Sequence, residues 1–134
     1  MAAIAADTIP CEGLHALYKD AGVYVQTVIR DDLVRRVPSR HVQDILDYHS
    51  TVEQAGRTAQ KEGVKTLLLT HYVPPLQPGG EDAWRAPAAA HFNGDIVLGD
   101  DLTKVMVPEC LHYAESLLKI VGYKQSLIIQ ICGL

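Results

Sequence analysis

The run Leu67-Leu68-Leu69-Thr70, with Gly63 before it and Pro74 and Pro75 after it, constrains the fold more than any other part of the chain. Lys65 to Thr70 reads as a strand with apolar residues on both faces, and only a strand inside a layered sheet can bury both. Immediately upstream, "STVEQAGRTAQKEG" reads as a helix. Ser50 and Glu53 stand at capping-box spacing, Ala55 and Ala59 lie four apart, and Gly63 fits the position after the C-cap. A helix feeding a doubly buried strand is the repeating unit of an α/β fold.

Other segments are read around that unit. Pro10 can open a helix carrying Leu14, Leu17 and Ala21, with Gly22 as its stop. Val23 to Ile29 is rich in β-branched residues and reads as a strand. A charged loop, "RDDLVRRVP", follows, and Ser39 can cap a short helix with Val42, Ile45 and Leu46 on one face. Pro74 to Pro87 has turn-formers and no period, so it reads as a loop with Trp84 as a local anchor. Asp95 to Leu98 and Leu102 to Val107 read as two strands joined across "GDD", with Asn93-Gly94 as a turn before them. Glu109 to Gly122 reads as a helix, and "SLIIQICGL" as a last strand.

A chain of 134 residues suits one domain with its own core. The net charge of −4 and the lack of any basic cluster beyond Arg35, Arg36 and Arg40 argue against autonomous nucleic-acid binding. That small cluster reads as a solvated loop. Cys11, Cys110 and Cys132 are far apart and odd in number, so neither a disulfide framework nor a zinc finger is expected, and a reducing, cytoplasmic setting fits. "MAAIAADTIP" is expected not to act as a secretory signal, and no run has the length of a membrane span.

Three side chains stand out as candidates for chemistry. His71 closes the apolar strand, the edge where layered α/β folds bind ligands; the plainer reading is a histidine bonded to a loop carbonyl. His49 precedes the capping-box helix, whose N-terminal potential favours a neutral ring able to accept a proton or hold a metal. Its plainer reading is a solvent-facing loop residue. Asp7 reads as an ordinary helix-start acid. His15, His41, His91 and His112 have no spacing that makes a two-histidine metal site.

Taken together, "ADTIPCEGL", "AGVYVQTVI", "YHSTVEQAGRTAQKEGVKTLLLTHYVPP" and "FNGDIVLGDDLTKVMV" resemble the C-terminal half of metallo-β-lactamase-fold hydrolases, in the branch that includes ribonuclease Z and arylsulfatase-like enzymes. The resemblance covers Ile4 to Val107 and implies half of an αββα sandwich, a mixed sheet with flanking helices. It further implies that Asp7 and His71 are metal ligands of a dinuclear zinc site and that His49 is the catalytic histidine of the "HST" loop. Two zinc ions in such a site polarise an ester or phosphoryl oxygen and supply hydroxide near neutral pH.

The departures are equally specific. The family's H-x-H-x-D-H motif occurs nowhere in the chain, the family strand often reading "VHEV" is "VQTV" at Val25 to Val28, and the glycine before the metal aspartate is Ala6. A positive φ at that position would strain an alanine. The resemblance therefore implies residues 1–107 as half a domain with an open sheet face; residues 108–134 fall outside the resemblance, and their amphipathic helix and apolar strand are expected to cover part of that face. The resemblance also implies an N-terminal half-domain or a second copy as partner, and a small ester or phosphodiester as substrate.

Overall fold

The structure, a computed structural model, describes residues 1–107, 118–122 and 125–130. Its main sheet contains β1 (Ala2–Ile4), β2 (Val23–Ile29), β3 (Ser50–Thr51), β4 (Thr66–Val73) and β5 (Asp95–Leu98). The order is β1-β2-β4-β5, all neighbours parallel, with β3 paired to the end of β2. All seven residues of β2 are buried, as its β-branched composition requires.

Strand alternation sorts the core into two layers. Tyr24, Val28, Leu67 and Leu69 meet the helices, which contribute Leu14, Tyr18, Val52, Ala55, Ala59, Trp84 and Ala88. Val23, Val25 and Leu68 face the other way and pack with Val105 and Val107. The α/β expectation holds, with helices on one face and further strands on the other.

The helices are α1 (Glu12–Tyr18), α2 (Asp31–Val34), α3 (Arg40–Gln43), α4 (Val52–Lys61) and α5 (Glu81–Ala89). The α4 capping box lies one residue later than its spacing predicts. Thr51 Oγ1 accepts from Gln54 N at 3.1 Å, and Gln54 Oε1 accepts from Thr51 N at 2.9 Å. Ser50 is unavailable as a cap because its hydroxyl is committed elsewhere, donating to Thr8 O at 2.6 Å. Gly63 takes its predicted place at φ +66°, and its N–H and that of Val64 close onto Gln60 O and Ala59 O as a Schellman motif. On the other side of α4, a Cβ on Gly56 would fall 2.7 Å from Ala88 O, so glycine is what lets α4 and α5 pack this closely.

Several expectations are corrected. Helix α1 begins at Glu12 rather than Pro10, and it ends before Gly22 because Asp20 adopts φ +57°. The charged loop contains the single turn α2, although Arg35, Arg36 and Arg40 are exposed as expected. Helix α3 follows Ser39 without a side-chain cap bond, and Val42, Ile45 and Leu46 are half-buried. Most of the predicted loop's second half is α5, which has Glu81 and Asp82 in its first turn and carries Pro87 inside it.

Pro87 has no N–H to give Ala83 O four residues back. Arg30 Nη1 donates to that carbonyl at 2.8 Å instead, while its other nitrogens bind Asp32 and its guanidinium lies 5.9 Å from the Trp84 ring centre. Trp84 is buried, as an anchor should be.

The two strands flanking "GDD" belong to different sheets. β5 pairs with β4, whereas β6 (Lys104–Met106) joins β7 (Leu118–Gly122) and β8 (Gln125–Gln130) in the order β6-β8-β7. The predicted helix Glu109–Gly122 is thus overturned over its last five residues, which form β7; its remainder lies outside the described residues. β8 starts one residue before the predicted last strand and follows it to Gln130; the end of that strand from Ile131 also lies outside the described residues.

Candidate active site at the C-terminal edge of the sheet

Asp7, His49 and His71 reach one edge of the sheet from three different connections. Asp7 follows β1 in a segment anchored where Ala5 N donates to Val25 O at 3.0 Å. Thr27, on β2, holds this segment from below, its hydroxyl lying 3.1 Å from both Ala6 O and Asp7 Oδ1. Ala6 carries no positive φ, so the alanine in place of the family glycine is unstrained.

Gln26, the other departure in "VQTV", is fully buried and fully engaged. Its Oε1 accepts from Tyr24 OH at 2.6 Å, and its Nε2 donates to Ala6 O and Thr27 O at 3.2 and 3.0 Å. Burial drives the Tyr24 phenol above its ordinary range, so it stays a donor. The altered dipeptide thus builds a neutral hydrogen-bonded floor beneath Asp7.

His49 is 6% exposed, which overturns the solvent-facing reading. Its Nε2 lies 3.2 Å from Asp7 Oδ1, and its Nδ1 is buried without a hydrogen-bond partner among the described residues. Next to it, Tyr48 is 49% exposed, and its ring centre stands 4.9 Å from that of His49.

His71 is not at the end of its strand, since β4 continues through Val73. Thr70 pairs with Thr27 and Val73 with Ile29, so β4 spends one extra residue where β2 spends none, and His71 there adopts φ +49°. This is a bulge with a left-handed residue, a device that re-aims a side chain out of the ladder. His71 Nδ1 comes to 3.7 Å from Asp7 Oδ1, and the His49 and His71 rings stand edge-on at 6.3 Å. Asp7 is equally far from its plainer reading, because α1 begins five residues later, at Glu12.

The other side of His71 opens into a cleft of about 580 Å³ between β4, β5 and the start of α5. Leu76 and Leu98 line its apolar part, and Glu81, Asp100 and Asp101 supply carboxylates. Tyr72 spans its wall, with its hydroxyl 2.7 Å from Leu69 O and 3.0 Å from Gly99 O. Burial, and then the charge of Asp100, push that phenol upward. Sequence reasoning missed Tyr72 and the anchoring role of Thr27; the departure at Thr27 was the only signal of the latter.

The donor set does not complete a zinc centre. Zinc takes four ligands, of which a catalytic site draws three from protein, whereas Asp7 and His71 are two. Asp7 Oδ1 is moreover already approached by Thr27 Oγ1 and His49 Nε2. Among the described residues no group of three or more His, Cys, Asp or Glu side chains is gathered to hold a metal ion; the contacts instead run in series through Asp7. Also among the described residues, no helix is long and apolar enough to cross a membrane.

No protein-family model matches the chain. Over 104 residues, 78% of its length, it is 56% identical to a ribonuclease Z of Mycolicibacterium gilvum, of which it covers 36%. It is 50% identical over the same extent to a putative ribonuclease Z of Mycobacterium tuberculosis, of which it covers 46%. The chain therefore spans less than half the length of these relatives. The crystal structure of YhfI, a metallo-β-lactamase fold protein from Bacillus subtilis, matches 73% of the chain and 36% of its own at a TM-score of 0.55 and 21% identity, a likeness of fold. Over the matched residues the chain is thus ribonuclease Z-like in sequence and shares the metallo-β-lactamase fold.

Proposed function

We propose that residues 1–107 are the C-terminal part of a metal-dependent hydrolase acting on phosphodiesters or other esters, complete only when a second polypeptide segment supplies the remaining metal ligands. Asp7 and His71 are the metal-facing residues, and zinc is the metal. His49 is the residue that moves a proton or stabilises charge. The observation carrying this reading is the convergence of both histidines on one oxygen of Asp7, at 3.2 and 3.7 Å.

In this reading Thr27 fixes the carboxylate, the buried His49 ring presents Nε2 to the site, and the bulge at His71 brings in the third side chain. A second reading, an inactive remnant that binds no metal, is favoured by the count of only two ligands.

Mixing the full chain with a large excess of a separately produced polypeptide carrying an H-x-H-x-D-H half separates the two. Zinc content and hydrolysis of bis(p-nitrophenyl) phosphate should rise only in the mixture, and both should be lost with Asp7→Ala or His71→Ala. His49→Ala should retain zinc while slowing turnover by about 10²-fold or more. A mixture without zinc and activity overturns the proposal in favour of the remnant, and stoichiometric zinc in the chain alone overturns the need for a second segment.

A further inference from the structure

We infer that the β7–β8 hairpin closes the open face of the main sheet from within the chain, filling the place that a second copy or another polypeptide would otherwise occupy. On β6, Lys104 and Met106 are exposed and Val105 is buried in the layer formed by Val23, Val25 and Leu68. One face of β6 is thus fixed against the main sheet.

Register carries that face into the hairpin. Val105 pairs with Ile129, which pairs in turn with Leu118, and Leu127 pairs with Ile120. Alternation along each strand puts Leu118, Ile120, Leu127 and Ile129 at positions on the Val105 face. The opposite face receives Lys104, Met106, Lys119, Val121, Ser126, Ile128 and Gln130. The matched positions on the Val105 side are apolar up to the hairpin end, where Gln125 faces Gly122, whereas lysines, serine and glutamine stand among Met106, Val121 and Ile128 on the other, a pattern suited to a half-buried layer. The hairpin also continues an existing strand rather than docking anew, since β8 is the central strand of its sheet.

The consequence for assembly is competition. Any polypeptide that must reach the Val23, Val25 and Leu68 face has to displace the hairpin, so the tail opposes completion of the site instead of leaving it open. This follows from the patterning whether or not the chain belongs to a hydrolase, and its readout needs neither metal nor substrate.

Amide hydrogen exchange on the full chain, dilute and concentrated, tests it alongside light scattering. The β8 amides should be protected by about 100-fold or more over open chain at both concentrations, in a monomer. Ile129→Lys should abolish that protection and extend the loss to β6, while Ile128→Lys, on the opposite face, should leave it in place. Unprotected β8 amides in the parent chain overturn the inference. Protection that grows with concentration alongside a dimer overturns it in favour of a second copy, and equal loss in both variants overturns the face assignment.

Discussion

His71 concentrates the tension between stability and chemistry in a single residue. A non-glycine residue in the left-handed region costs on the order of 1 kcal/mol, and the histidine is 59% exposed, so little packing offsets that cost. His71→Gly should therefore raise stability by about 1 kcal/mol in urea denaturation, whereas His71→Ala, which keeps a Cβ at the same φ, should show no such gain. An equal gain from both would show that the bulge is unstrained. The importance of His71 was legible in the apolar run that leads to it. Its bulge was not, because an extra residue in one strand is defined only against the partner strand. Thr27 shows the same limit: a sequence reports that a carboxylate has been replaced, while the 3.1 Å contact that turns the replacement into an anchor for Asp7 needs the fold.

Elements were legible where local chemistry decides them and missed where a distant residue does. The strand Val23–Ile29 and the left-handed Gly63 follow from composition and position. The α4 cap moved by one residue because the Ser50 hydroxyl is bound to Thr8 O, in the segment that carries Asp7. Helix α5 was hidden by Pro87, whose freed carbonyl is satisfied by Arg30 from 53 residues earlier in the chain. Arg30 and Pro87 are therefore expected to be energetically coupled. Arg30→Met should cost about 1 kcal/mol in the parent chain. In Pro87→Ala, where an N–H returns to Ala83 O, the cost should fall by about 0.5 kcal/mol, as read from a double-mutant cycle in urea. The salt bridge to Asp32 and the contact with Trp84 are lost in both backgrounds and cancel, so strict additivity would rule out the substitution of one donor for the other.

At the scale of the molecule, the α/β class and the two-sided burial of the central strands were legible, since hydrophobic period alone fixes them. The second sheet was not, because β6 and β8 meet through backbone bonds between segments that no local pattern joins. Removing residues 108–134 should leave the Val23, Val25 and Leu68 layer uncovered and drive the remainder to associate, as measured by light scattering. A truncated chain that stays a soluble monomer would show that β6 suffices as a cover.

The acidic cleft beside His71 gives the site a direction. Glu81, Asp100 and Asp101 set a negative potential across that mouth, which turns away a polyanion before any contact is made. Under the proposed function, a phosphodiester would meet that repulsion on the cleft side of His71, so the molecule narrows its routes of entry by repulsion rather than by attraction.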